Sequence, residues 1–294
     1  MAMEAELKFL LTQGTVPALE PVWQQLAVAV QQHESVQLLN AYYETDDLWF
    51  RRHDAGLRTR LKKGQFEQTI KLAGQQHGGL HFRPEYNLPC ASVWPELKAF
   101  PAEIWPEQTD LEQLQNKLKQ LFRTDFMRQS WLLTLSDGST VEAVLDQGEV
   151  VSGEQKEVIF ELELELQQGE VKALFELSRQ LVQVLPLRLG WQSKAERGYR
   201  LVQQQPLVFM PLDNSSTAAL LKSLQYHESY FLRSQDPLSW QVIQQAFAAL
   251  AIVSAEFAAL TLPQQADSTQ ALNFFSSAAY NCALLNCSES LFSA

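Results

Sequence analysis

Two stretches of this chain place charge at every second residue. Glu4-Ala5-Glu6-Leu7-Lys8 does so at the start, and Glu161-Leu162-Glu163-Leu164-Glu165 near the middle. On a β-strand, alternate residues share one face, so each trio of charges projects together. A second group is basic. Arg58, Arg60 and Lys62 alternate with Leu57, Thr59 and Leu61; Lys71 follows Glu67 and Thr69; Arg83 stands between His81 and Glu85. Glu142 and Asp146 extend the acidic set, and Arg128 and Lys194 the basic one. Clustered carboxylates suit hard dications such as Mg²⁺ or Mn²⁺, which take oxygen ligands. Arg and Lys match phosphate oxygens, Arg bidentately. Together the two sets could hold a polyphosphate between a basic wall and metal ions.

Each charged strand alone reads as an amphipathic strand with a solvated face. The set reads differently, because the signs are sorted by strand. Three glutamates in a row on one face repel one another unless cations lie close. The intervening leucines Leu162, Leu164 and Leu166 need cover, which amphipathic helices can supply. The charged faces are therefore expected to line an interior.

The elements that must position these groups follow from periodicity. Strands are predicted over 3–11, 36–45, 57–62, 66–72, about 80–86, 121–135, 138–147 and 158–166. Lys63-Gly64 and Asp137-Gly138 are hairpin turn signals. Helices are predicted over 17–31, with Leu19, Val22, Trp23, Leu26 and Val30 on one face, and over 170–185; residues 92–120 read as Pro-containing and then helical. About eight strands joined as hairpins, with covering helices, are enough to close a barrel around a small lumen. The fold class is thus α+β, an eight-stranded antiparallel barrel followed by an all-α region. Residues 1–202 are expected to form the barrel domain, 203–216 a linker and 217–294 helices.

The chain has 294 residues, an apolar fraction of 46% and a formal charge of −11. The charge argues against broad electrostatic binding of nucleic acid but not against a small anion in a basic cavity. No apolar run approaches the ~20 residues of a membrane span. An N-terminus charged within its first eight residues is unlike a secretory signal. Cys90, Cys282 and Cys287 make neither a CxxC pair nor an even framework, which predicts a reduced, cytoplasmic setting.

Nine segments in order resemble the CYTH family, the triphosphate tunnel metalloenzymes. They are Glu4-x-Glu6-x-Lys8, Tyr42-Tyr43-Glu44-Thr45-x-Asp47, Gly56-Leu57-Arg58-x-Arg60, Thr69-Ile70-Lys71, Arg83-Pro84-Glu85-Tyr86, Phe122-x-Thr124-Asp125-Phe126-x-Arg128, Glu142-x-x-x-Asp146-x-Gly148-Glu149, Glu161 to Leu166, and Ser193-Lys194-x-x-Arg197-Gly198-Tyr199. Gly78-Gly79-Leu80-His81-x-Arg83-Pro84-Glu85-Tyr86-Asn87 and Leu145 to Val150 are most similar to bacterial inorganic triphosphatases in which a CYTH domain precedes a helical CHAD domain. The resemblance implies an eight-stranded tunnel that hydrolyses tripolyphosphate to pyrophosphate and phosphate with Mg²⁺ or Mn²⁺. Other members hydrolyse thiamine triphosphate, trim RNA 5′-triphosphates or cyclise ATP, so thiamine triphosphatase, nucleoside triphosphatase and class IV-type adenylate cyclase stay open. So does a non-catalytic polyphosphate-binding module, although such a module has no use for so many carboxylates.

On this reading Lys8, Arg58, Arg60, Lys71, Arg83, Arg128 and Lys194 contact the phosphates, with Arg83 alternatively pairing with Glu85. Glu4, Glu6, Asp146, Glu161 and Glu163 hold metal; Glu4, Glu6 and Lys8 are also the catalytic set. Glu165 reads equally as a lumen group or a solvated rim position. Glu142 reads as a group orienting a basic neighbour, and Tyr42 and Tyr43 as packing. His33, His53, His77 and His81 lack metal-ligand spacing and read as surface or packing residues. No Cys, Ser or His nucleophile stands out, which favours direct attack by water. From Asp213 to Ala294 the only basic residues are Lys222 and Arg233, so the tail is expected to be a partial or diverged CHAD-like region that does not hold a polyanion. Its leucine faces are expected to dock on the barrel or on a second copy, and a chain ending near Gln205 to keep its chemistry.

Overall fold

The computed structural model describes residues 2–12 and 18–293. Its strands, in chain order, are β1 (Ala2–Leu10), β2 (Ala29–Gln32), β3 (Val36–Glu44), β4 (Gly56–Lys62), β5 (Gln65–Lys71), β6 (Gln75–His77), β7 (Leu80–Cys90), β8 (Lys119–Thr134), β9 (Thr140–Ser152), β10 (Gln155–Gln168) and β11 (Arg188–Leu189). Eight of them close into a ring in the order β1-β10-β9-β8-β3-β4-β5-β7, with β7 pairing back onto β1. Every pairing in the ring is antiparallel. The short β2, β6 and β11 add to β8, β7 and β1. Closure pairs each ring strand on both sides, and the short strands take the ends that overhang their neighbours.

The helices are α1 (Leu19–Leu26), α2 (Trp49–Arg52), α3 (Leu111–Lys117), α4 (Val171–Val184), α5 (Lys194–Val202), α6 (Thr217–Ser234), α7 (Pro237–Val253), α8 (Ala255–Ala258), α9 (Ser268–Phe275) and α10 (Ala278–Ser293). Alternation sorts each strand as expected. Leu7 and Phe9 of β1 and Leu162 and Leu164 of β10 face outward into one apolar cluster with Leu174, Phe175 and Leu181 of α4. Tyr43, Leu57 and Ile70 face a second outer cluster with Phe50, Leu97 and Phe100. Their alternate neighbours are left pointing inward. The β4–β5 hairpin turns at Lys63 and Gly64, both at positive φ (48° and 80°), the pair of angles a two-residue hairpin of matching twist requires.

The helix predicted over 17–31 is shorter. Residue 17 lies outside the described residues, α1 ends at Leu26, and Ala29–Gln32 is a strand on β8, with Val30 opposite Leu133. Val28 and Val30 are β-branched and fit a strand edge better than a helix turn. The hairpin of β9 and β10, turning at Gly153 with φ 57°, extends both strands past their predicted ends.

Residues 217–293 pack against the barrel's outer layer. Leu220, Leu221 and Leu224 of α6 and Leu284 and Leu285 of α10 belong to the same cluster as Leu80, Leu174 and Leu189. The Asn281 side chain donates to Leu187 O (2.8 Å) and accepts from Leu189 N (2.8 Å), stitching α10 to β11. Arg179 of α4 pairs with Glu289 at 2.6 Å, and Phe82 meets Phe292 edge-on at 5.2 Å. The leucine faces of the tail are thus covered within the protomer. Residues 205–216 have no regular structure and lie along α6, where Tyr226 Oη bonds Val208 and His227 Nε2 bonds Met210 O. Among the described residues no helix is long and apolar enough to cross a membrane. The three cysteines are free.

Candidate active site

The inward faces enclose a cavity of about 870 Å³. Strand register decides who meets whom. Glu6 lies opposite Glu165 and Lys8 opposite Glu163 across β1 and β10. Glu161 faces Asp146, and Glu165 faces Glu142, across β10 and β9. On the other side of β1, Glu4 faces Arg83 and Glu6 faces His81. Arg58 and Arg60 line the opposite wall from β4, with Thr69 and Lys71 beside them on β5.

One end of the lumen is a closed ion-pair network. The Lys8 ammonium, 2% exposed, lies 3.1 Å from Glu161 and also bonds Glu163. Arg128 binds Asp146 bidentately, both bonds 2.7 Å, and reaches Glu163 at 2.9 Å. Lys194 enters from the first turn of α5 and touches Asp146 (2.7 Å), Glu163 (2.8 Å) and Glu161. One oxygen from each of Asp146, Glu161 and Glu163 lies within 4.8 Å of the others. Burial would raise the carboxyl pKa of Glu163, but Lys194, Lys8 and Arg128 hold it well below the usual range. Burial opposes ionisation of Asp146 too, and Arg128 and Lys194 again prevail.

A second knot ties Glu4. Lys71 donates to it at 2.5 Å and Arg83 at 3.0 Å, while Lys71 also pairs with Glu85 at 3.0 Å. Against the penalty of burial, these two cations keep Glu4 ionised far below its ordinary value. Arg83 therefore pairs with Glu4 rather than Glu85, whose other neighbour is Arg58 at 3.8 Å.

The groups left over are the informative ones. Arg60 bonds only Asn40 Oδ1 (2.7 Å), and no carboxylate lies within 4.0 Å of it among the described residues. Burial, then Arg58 and Arg128, push its pKa down to about 9. An arginine so perturbed sits in a positive field that an anion would relieve. Glu6 shows the opposite strain. Its nearest cation is Lys8 at 3.6 Å, and burial with Glu163 and Glu4 nearby raises its pKa. Glu165 lines the cavity as well, and burial beside Glu4 and Glu6 pushes it up to about 7. His81 is 5% exposed, and burial followed by Arg83 and Lys8 pushes it down to about 3, so its imidazole is neutral.

The CYTH domain profile matches residues 2–199 of this chain. The chain belongs to the CYTH domain family. An inorganic triphosphatase of Haemophilus influenzae is 34% identical over 177 residues, which are 60% of this chain and 49% of that protein; the chain thus spans about half the length of this curated relative. Among solved structures, a candidate adenylyl cyclase from Hippeastrum described as having a dominant triphosphatase activity matches at 13% identity and TM-score 0.44, covering 71% of this chain and 99% of its own. The PH1819 protein from Pyrococcus horikoshii matches at 17% identity and TM-score 0.44, covering 69% and 99%. Neither structural match bears on function at these scores.

In this CYTH barrel the residues read from sequence as phosphate- and metal-binding reach the lumen or its lining network. Lys8, Arg58, Arg60, Lys71, Arg83, Arg128 and Lys194 converge with Glu4, Glu6, Asp146, Glu161 and Glu163. Glu165 lines the lumen and is half-buried. Glu142 lines the cavity without an ion pair within 4.0 Å among the described residues, and its charge acts on Arg128 at longer range. Tyr43 packs outside, whereas Tyr42 stacks on Phe122 at 4.5 Å and also lines the cavity. His81 is neither surface nor packing: it shares the lumen face of β7 with Arg83 and Glu85, a position its alternation with them already implied. Two supporting groups were missed. Asn40 fixes Arg60 and is itself anchored on Thr124 at 3.0 Å. Glu44 accepts from Thr45 N (2.8 Å), Phe50 N and Arg51 N (3.0 Å each) and Tyr199 Oη (3.0 Å), locking α2 and α5 to the barrel end. A buried glutamate just after two tyrosines carried no periodic signal.

Proposed function

We propose that this chain is a metal-dependent triphosphatase that hydrolyses inorganic tripolyphosphate to pyrophosphate and phosphate. The observation that carries the reading is the sorted lumen: Arg60, with no carboxylate within 4.0 Å among the described residues, and Arg58, whose one carboxylate there is Glu85 at 3.8 Å, stand on one wall facing a wall of buried carboxylates. Its partial charges match a polyanion on one side and dications on the other. The kinship to an inorganic triphosphatase supports the same choice of substrate.

The donor set fits a hard dication. Asp146, Glu161 and Glu163 offer only oxygen, are buried and converge. Glu6 adds a buried carboxylate with no hydrogen bond among the described residues. These residues would hold Mg²⁺ or Mn²⁺, while Glu4 is engaged by Lys71 and Arg83. When bound, such an ion polarises phosphate oxygens and activates water.

The remaining work belongs to the side chains. Arg58 and Arg60 donate to phosphate oxygens and fix the chain of phosphates along the lumen. Lys71, Arg83, Lys8, Arg128 and Lys194 stabilise the charge that gathers on the pyrophosphate leaving group. Asn40 and Thr69 hold the two arginines in place, at 2.7 and 3.1 Å, so their rotamers need little ordering when substrate arrives. Water attacks a terminal phosphorus directly, forming one P–O bond as the bridging P–O bond breaks. Glu4, Glu6 and Lys8 share the strand that lines the reaction space.

The test is a phosphate-release screen over tripolyphosphate, ATP and thiamine triphosphate, each with Mg²⁺, with Mn²⁺ and after exhaustive chelation. Fastest turnover of tripolyphosphate, abolished by chelation and restored by metal, is the expected result. Faster turnover of ATP or thiamine triphosphate would move the activity to another triphosphate. Full activity after chelation would remove the metal.

A further inference from the structure

We propose that Glu157, which is not among the described residues that line the cavity, is a positioning residue for Lys194: by holding Arg197 and Arg200 it fixes α5 against β10, and so fixes where the Lys194 ammonium stands. The inference rests on the triphosphatase reading above and adds to it a residue that acts without touching the substrate.

α5 and β10 meet as two rows of opposite charge. On α5, Lys194, Arg197 and Arg200 follow at three-residue steps, so each is a surface neighbour of the next. On β10, Glu157, Glu161 and Glu163 stand at alternating positions and share one face. The rows run in opposite directions. Lys194 touches Glu163 at 2.8 Å and also bonds Glu161. Arg197 reaches Glu161 at 3.2 Å and Glu157 at 2.8 Å, and Arg200 bonds Glu157. Arg197 thus joins the lumen network to the outer acid. A Cβ at Gly198 would strike the Phe122 ring, and Tyr199 meets that ring edge-on at 5.5 Å, so α5 approaches the barrel wall as closely as a backbone allows.

The outer end of the basic row depends on one acid. The Arg197 and Arg200 side chains are 8% and 14% exposed. Among the described residues Arg200 pairs with no carboxylate but Glu157, and one of its guanidinium nitrogens is buried without a partner. Burial raises the Glu157 carboxyl, but Arg197, Arg200 and Arg233 hold it below its ordinary value. Arg233 of α6 is the longest of the three contacts, at 3.4 Å, and is 45% exposed, so the tail adds little to the clamp. Neutralising Glu157 would leave two guanidinium groups buried without full compensation, which is costly. α5 relieves that cost by shifting outward to water. The Lys194 ammonium moves with it, because a Ser193–Glu196 capping box ties its backbone to the first turn. A misplacement of about 1 Å can lower a rate by up to about a hundredfold.

The experiment uses the full chain with Mg²⁺ and tripolyphosphate. Glu157→Gln should lower kcat roughly fivefold or more while KM stays within about twofold, because Lys194 serves the leaving group. In a Lys194→Ala background the same substitution should cost less than about twofold further. A second readout needs no turnover: acetylation of lysines followed by mass spectrometry should label Lys194 about threefold faster in Glu157→Gln, with Lys8 unchanged. If that variant fails to fold, Arg200→Met removes one arm of the clamp and is read in the same way. Unchanged kcat and unchanged Lys194 labelling in the folded variant would overturn the assignment. So would losses that multiply in the double variant, or equal gains in labelling at Lys8 and Lys194. Absence of tripolyphosphate turnover in the wild type would instead take down the triphosphatase reading, and the labelling would still decide whether Glu157 positions Lys194.

Discussion

The lumen and the helical tail both bury polar groups, and they treat them in opposite ways. In the lumen nearly every charge has an answering charge: Lys8, Arg128 and Lys194 against Asp146, Glu161 and Glu163, and Lys71 and Arg83 against Glu4. In the tail the core is aromatic, with Phe231, Trp240, Phe247, Phe257, Phe275 and Tyr280 in contact, and Glu228 is buried with only the Tyr280 hydroxyl to bond its side chain among the described residues. Burying ions is expensive, and replacing a buried pair with apolar residues often stabilises a protein. A barrel selected for stability alone would look like the tail. The lumen's exceptions, Arg60 on one side and Glu6 with Glu165 on the other, mark where a ligand is owed.

Removing the tail should produce the largest effect. A chain ending at Gln205 strips cover from Leu80, Leu174, Leu181 and Leu189. The sequence alone predicts an independent barrel; the shared cluster predicts a product that aggregates or melts more than 10 °C lower, each uncovered leucine costing roughly 1.5–3 kcal/mol. Light scattering with a thermal melt decides, and a soluble truncation with unchanged Tm would separate the two regions after all. Within the tail, Trp240→Ala should cost about 3–5 kcal/mol. Its Tm should fall by roughly 10 °C while kcat/KM of the folded enzyme holds; a large kinetic loss would mean that the tail shapes the lumen.

Glu228 tests the tail's one isolated acid. Burial raises it to about 7, against the pull of Arg188 and the Tyr280 hydroxyl. A folded pKa above the unfolded one means that its stabilising contribution is full below about 4.5 and is lost as pH rises through about 7. Glu228→Gln keeps an acceptor for Tyr280 and should gain about 2–4 kcal/mol relative to wild type at pH 8, and little at pH 5. Parallel melts across that range check it, and equal pH profiles would show that the carboxylate is already compensated. The smallest change in free energy is expected in the lumen. A charged hydrogen bond to phosphate contributes roughly 1.5–3 kcal/mol, so Arg60→Ala should lower kcat/KM by about one to two orders of magnitude with Tm nearly unchanged. Unaltered kcat/KM would show that this side chain does not grip the substrate.

Much of the barrel was legible because period-two alternation survives in strands with one charged and one apolar face. Glu161 to Leu166 and Leu57 to Lys62 announced both their conformation and the direction of their side chains. Local pattern failed where tertiary pairing decided. Ala27 to Val30 continued an apolar helical stripe, but β8 offered a free edge and took Ala29–Gln32 as a strand. Gln75–His77 is too short and polar to read as a strand without its partner β7. In the site, charge alternation found the walls, while His81 was read as surface or packing although its alternation with Arg83 and Glu85 put it on the same cavity-lining face. Asn40 and Glu44 act through contacts with residues far along the chain, a kind of information that no local window holds.

The position of β1 has a consequence for how the molecule comes into being. It is made before the other ring strands, yet it fills the gap between β7 and β10, and its Lys8 bonds carboxylates 153 and 155 residues further on. Loop-closure entropy must be met before those contacts give anything back. High contact order of this kind slows folding. One edge of β1 can pair with β7, but the other, half apolar, waits until β10 emerges, which leaves that edge exposed to mispairing with another chain. Ring closure and assembly of the charged lumen are then a single event, and refolding monitored by strand signal and by recovered anion binding should follow one common rate.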